Sequence, residues 1–150
     1  MKVGAPIMTV AFSCCPSPEW SIRTTGHSLG GGLALGMSVR FPNVPAVVFD
    51  TSPRVFDGLG DVHFDAVREL VYRDGEVLAK LRRLSWKMDE VVSCENTYVC
   101  PYDFHGSNLH RGDLLALGLL IHAATPGTPL AEVLRTVPQS VRDRVTVPKQ

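Results

Sequence analysis

Residues 20–41, WSIRTTGHSLGGGLALGMSVRF, decide how the chain is read. Trp20, Ile22 and Thr24 alternate with Ser21 and Arg23, which predicts a strand from Trp20 to Thr25. That strand runs straight into Gly26-His27-Ser28-Leu29-Gly30. A helix follows from Leu29 to Phe41, with Leu33 and Met37 on one face and Gly32, Ala34 and Gly36 around it, ended by Pro42 and Pro45. So many glycines give a helix little intrinsic stability, and they indicate close packing on a sheet.

Downstream, extended and helical runs alternate, the pattern of an α/β sheet. Ala46–Phe49 is a short continuous apolar run, as expected of a parallel strand covered on both faces. After a loop reaching about residue 66, a third strand is expected at Glu69–Arg73. Asp74-Gly75-Glu76 then turns the chain into a helix carrying Val77, Leu78, Leu81, Leu84 and Met88. A fourth strand at Asn96–Cys100 leads through the loop 101–112 into the apolar helix Leu114–Ala124. From Pro126 onward one weak amphipathic turn or two, with Leu130, Val133, Leu134 and Val137, gives way to a polar tail.

Composition narrows the function. The 150 residues suffice for one hydrophobic core, and 45% hydrophobic with 20% charged residues is an ordinary globular mixture. Fifteen basic residues balance fifteen acidic ones, so no global field draws in nucleic acid or anionic lipid. The apolar run 114–124 is too short for a bilayer, which needs roughly 20 residues. Lys2 and the run Val3–Phe12 resemble a secretion signal only weakly, because Pro6 interrupts them. Cys14, Cys15, Cys94 and Cys100 form no Cys-x-x-Cys motif, and are expected as reduced, mostly buried thiols of a cytoplasmic protein.

Gly26-x-Ser28-x-Gly30 matches the nucleophile elbow, in which a serine occupies a tight strand-to-helix turn with its hydroxyl raised. Room for that turn is expected to require glycine both two before and two after the serine. The start of the following helix offers unpaired N–H groups to a developing oxyanion, and the Leu29 N–H is the candidate donor.

With its neighbours, Thr25-Gly-His-Ser-Leu-Gly-Gly-Gly-Leu-Ala34 resembles the serine motif of the lipase class 3-like α/β-hydrolases. Phe49-Asp-Thr-Ser-Pro-Arg-Val55 is similar to that family's next strand and turn, and the resemblance spans roughly Trp20 to His122. It implies a serine esterase or lipase with a triad in the order Ser, acid, His, acting on a small-molecule or lipid ester and needing no cofactor. The acid is expected after the third strand, with Glu76 favoured over Asp74, although the family usually has Asp there. Asp50 is a third candidate, expected to cap the turn Thr51-Ser52-Pro53 instead. The histidine is expected after the fourth strand, with His110 favoured over His105 because the helix behind it can aim it. His27 is read as packing beside Ser28, and His63 and His122 as ordinary surface or core residues.

The resulting layout is an irregular segment 1–19, an α/β-hydrolase-like domain 20–125 and a tail 126–150, a partial hydrolase fold. Only 27 residues precede Ser28, whereas members of the family carry several strands before the elbow. A C-terminal fragment of a longer hydrolase is the first explanation, half of a split or dimeric enzyme the second, and a homologue without activity the third. A second copy or a complementing N-terminal half is therefore a candidate partner. Two rival functions remain: a metal module built from Cys94, Cys100, His105 and His110, whose spacing is not a standard one, and an interaction module docking along an exposed sheet edge or the 114–124 helix.

Overall fold

A computed structural model of the chain describes residues 21–53, 62–83, 88–106 and 109–148. The expectations for segment 1–19, for Trp20 and for Arg54 and Val55 lie outside the described residues. The elements are β1 (Thr24–His27), α1 (Leu29–Arg40), β2 (Ala46–Phe49), β3 (Arg68–Arg73), α2 (Val77–Arg83), α3 (Met88–Val91), β4 (Thr97–Cys100), β5 (Asp103–Phe104), α4 (Gly112–Ala123), α5 (Pro129–Thr136), α6 (Gln139–Arg142) and β6 (Val145–Thr146). Strands β1 to β4 form one parallel sheet in sequence order, flanked by helices, so the fold is α/β.

Alternation of side chains across the strands divides the core into two layers. On one face Ala46, Val48 and Leu70 pack with Ala34, Leu35 and Val39 of α1 and with Met88, Val91 and Val92. On the other, Val71 and Cys100 pack with Leu114, Leu115 and Leu117 of α4, and with Tyr102, Phe104 and Val145. Burial and a hydrogen bond from Tyr102 act on the Cys100 thiol in opposite senses; burial dominates and raises its pKa. Tyr102 is pushed up to about 12, chiefly by burial.

The first strand sits further along than expected. Its four residues pair Thr24↔Ala46 through His27↔Phe49, so the ladder length follows β2, and it runs through Gly26 and His27, which propensity would have excluded. The inward face of α1 also differs from the expected pair. Gly31, Ala34, Leu35, Ser38 and Val39 recur at helical spacing on the buried side, while Leu33 is left 44% exposed. Beyond residue 125 the chain forms α5 and α6 and returns as β6, antiparallel to β5, with Leu134, Val137 and Val147 against the α4 layer. Among the described residues no helix is long and apolar enough to cross a membrane.

Arg68 ties the first layer together. It is 3% exposed, and its guanidinium donates to Ser38 Oγ (2.7 Å), Ser38 O (2.9 Å) and His63 O (2.6 Å). Desolvation lowers its pKa, against the opposing pull of Asp65. The sequence pattern starts this strand at Glu69 and gives Arg68 no role. Arg68→Met keeps the apolar stem but orphans these acceptors, and should lower the unfolding free energy by about 3 kcal/mol. A urea midpoint within error of wild type, at unchanged slope, would show that the guanidinium does not hold α1 to β3.

Candidate active site

The parallel strands all end at one edge of the sheet, and the site is built from the segments that leave those ends. Ser28 comes directly after β1 with φ 57° and ψ −125°, outside the ordinary regions for an L-residue, a conformation that costs about 1–3 kcal/mol. The turn is held from β2: Ser28 N–H donates to Phe49 O (3.0 Å), and Ser52 N–H donates to Ser28 O (2.9 Å). A Cβ on Gly26 would lie 2.3 Å from Gly30 O, and one on Gly31 2.7 Å from Thr51 Oγ1. A Cβ on Gly30 would meet nothing within 4 Å, which corrects the expectation that both glycines of the motif are there for room. The close approach is made by Gly26 and Gly31, on the two sides of the turn.

Ser28 makes no side-chain cap bond to α1, and α1 has no acidic residue in its first turn. Its hydroxyl instead lies 2.7 Å from His110 Nε2, across 82 residues of sequence. His110 directly precedes Arg111, whose carbonyl accepts from Leu114 N–H and Leu115 N–H in the first turn of α4. His110 Nδ1 lies 3.1 Å from Glu76 Oε2. The structure thus aligns Ser28, His110 and Glu76 in one chain of contacts.

Glu76 is fully buried. Its Oε2 also accepts from Leu78 N–H (2.7 Å), and its Oε1 is bound by the Arg82 guanidinium, itself buried. Arg82 donates from its other terminal nitrogen to Thr51 O (2.6 Å) and stacks 4.5 Å from the centre of the Tyr72 ring. Three polar partners, one of them a cation, therefore compensate a carboxylate removed from water.

The other candidates lie apart from this chain. Asp74 is exposed in the turn after β3, with its backbone N–H bound to Cys100 O (2.9 Å), so it is not the carboxylate at His110. His105 is exposed, and its Nε2 lies 2.9 Å from Thr146 Oγ1. Asp50 does not cap the turn as expected: its Oδ1 accepts from Arg73 N–H (3.1 Å), closing the end of β3. His27 does pack beside the site, its ring 4.9 Å from that of His110. Cys94, Cys100, His105 and His110 do not gather, since Cys94 is exposed, Cys100 is buried at the end of β4, and the two histidines have separate partners. Arg82 and Thr51 were missed by the sequence reading, because an arginine on α2 and a threonine in the turn after β2 carry no local mark of burial.

Comparison of the chain with protein-family models, with curated proteins and with solved structures gives no match. Its chemistry therefore has to be read from the site itself.

Substitutions in the turn and at Arg82 test this construction. Gly30→Ala should fold with stability equal to wild type or higher by about 0.5–1 kcal/mol, because the site has room and alanine favours the helix, whereas Gly26→Ala should not form the turn. Equal melting temperatures for the two variants would refute the close approach of Gly26 to Gly30. Arg82→Met leaves Glu76 buried without its cation and should cost about 3–5 kcal/mol in chemical denaturation, part of it recovered by adding Glu76→Gln.

Proposed function

We propose that this chain is a serine hydrolase acting on carboxylic ester bonds, with Ser28 as nucleophile, His110 as general base and acid, and Glu76 as the carboxylate that orients the imidazole. The observation that carries the reading is the 2.7 Å contact of Ser28 Oγ with His110 Nε2, backed at 3.1 Å by buried Glu76. With a proton on Nδ1 donated to Glu76, the other ring nitrogen is free to accept the serine proton as Oγ attacks the ester carbonyl. The same proton then goes to the departing alkoxide, and water repeats the cycle on the acyl-enzyme. The positive φ at Ser28 supports this role, because strain of that kind is retained where it aims a reacting group.

The tetrahedral oxyanion needs donors, and Leu29 N–H at the start of α1 is the one we assign, since Ser28 leaves the first turn uncapped. An open pocket of about 540 Å³ beside His27 is lined by Phe49, Leu115, Ala116 and Leu119, which suits an apolar acyl or alkyl group. The resemblance of residues 25–34 and 49–55 in sequence to the lipase class 3-like α/β-hydrolases points the same way, and the sheet would then be part of that fold. The mechanism calls on no cofactor.

A fluorophosphonate probe followed by peptide mapping tests the proposal. Labelling is expected at Ser28 alone, abolished in Ser28→Ala and reduced at least about 10³-fold in rate in His110→Ala. Folded protein that resists the probe would instead favour the alternative, a hydrolase-like fragment or interaction module without catalysis.

A further inference from the structure

Beside the serine chain stands a second group whose bonding is incomplete. Asp50 is fully buried at φ 42°, and while its Oδ1 accepts from Arg73 N–H, its Oδ2 has no hydrogen-bond partner among the described residues. His27 Nε2 is buried with no hydrogen-bond partner among them either. The two atoms face each other at 3.6 Å, beyond hydrogen-bond range, so neither satisfies the other. The His27 ring is fixed from behind: a Cβ on Gly112 would come within 2.9 Å of it. One donor atom from each of His27, Asp50 and His110 lies within 4.8 Å of the others.

We propose that His27, Asp50 and His110 form a binding site for a zinc-class divalent ion, and that an ion held there inhibits the hydrolase site by drawing His110 away from its partners. The inhibitory half rests on the function proposed above; the site does not. Two imidazoles and one carboxylate are a ligand set suited to zinc, with the fourth position left to water. Zinc holds such donors at about 2.0–2.2 Å, which sets tetrahedral donors about 3.4 Å apart. The 3.6 Å separation of His27 Nε2 and Asp50 Oδ2 is already close to that edge. His110 has to approach by no more than about 1.4 Å, and it sits in a short irregular stretch ahead of α4.

Inhibition results from how His110 is used. Its Nε2 lies at Ser28 and its Nδ1 at Glu76, so an ion that takes either nitrogen breaks the chain. Loss of Nε2 removes the general base, and loss of Nδ1 removes the orienting carboxylate.

The test titrates zinc chloride into the full chain, first stripped with chelator, and reads calorimetric binding and fluorophosphonate labelling in parallel. His27→Gln and Asp50→Asn are the variants, since neither residue belongs to the serine chain and Asn retains the acceptor for Arg73 N–H. Wild type should bind one ion through this site, and each variant should bind it at least about tenfold more weakly, the lower bound for losing even an outer-shell partner. Labelling of wild type should fall with the same midpoint as binding, while the labelling rate of each variant, measured against its own zinc-free rate, should not fall at that zinc concentration. Ser28→Ala should bind as tightly as wild type or tighter, because His110 no longer has the serine to leave.

Thermal unfolding identifies any variant that does not fold; His27, with its side chain 35% exposed, carries the test if Asp50→Asn fails. Absence of stoichiometric binding, or binding equally tight in the folded variants, overturns the site. A chain that labels at Ser28 and continues to do so when loaded with zinc overturns the inhibition while keeping the hydrolase. A chain that binds zinc through His27 and Asp50 but never labels keeps the site and rejects the hydrolase reading together with the inhibition.

Discussion

Everything at this edge of the sheet hangs on keeping the Glu76 carboxylate out of water. A buried carboxylate without partners is not tolerated, so the surroundings are bound to supply them: Arg82 from α2, Leu78 N–H from the same helix and His110 from the loop before α4. Arg82, itself buried, needs further acceptors for its N–H groups, and one of them is Thr51 O, of the residue whose side chain lies against Gly31. One desolvated charge thereby fixes the start of α2, the loop after β2 and the ring of His110. The turn at Ser28 and the histidine are held in register by the same compensation.

The parallel sheet explains why residues 82 positions apart meet at all. With β1 to β4 paired in sequence order, each strand delivers the chain to the same edge, and each following segment contributes one group. Ser28 comes after β1, Asp50 and Thr51 after β2, Glu76 after β3, and His110 lies beyond β4. The unfavourable backbone at Ser28 survives because β2 and the turn after it hold it on both sides, through Phe49 O and Ser52 N–H. A turn in an isolated peptide would lack both anchors.

How much of this was legible depended on the range of the interaction. β2 was readable residue for residue, since four apolar residues bounded by turn signals have few other meanings, and the tight turn at Ser28 was readable because Gly-x-Ser-x-Gly between a strand and a helix is a local pattern. Glu76 and His110 could be ranked above Asp74 and His105 only loosely, because burial and orientation decide between neighbours in one turn or loop and neither is local. The inward face of α1 misled the reading for a related reason: Leu33 is as apolar as Leu35, and only the approach of Gly31 to Thr51 fixes the rotation. Arg68 and Arg82 were invisible, since a buried arginine looks like a surface one until its carbonyl partners are known. The β5–β6 pair joins residues some forty positions apart through two-residue strands, too short to show any period.

Two carboxylates thus lie fully buried at one edge, and their partners set them apart. Both oxygens of Glu76 are bonded, one of them to a cation, so its position is determined from several directions and it can orient a ring without moving. Asp50 is anchored by Oδ1 alone, on a backbone at positive φ, and its second oxygen faces a histidine nitrogen that is equally unsatisfied. Burial of that kind persists when the rest of the fold over-determines it, and here the fold does so through the ladder of β2 with β3. The contrast separates two carboxylates that the sequence ranks for one role without showing how they differ: a satisfied one that bonds His110, and a half-satisfied one whose second oxygen is left without a hydrogen-bond partner among the described residues.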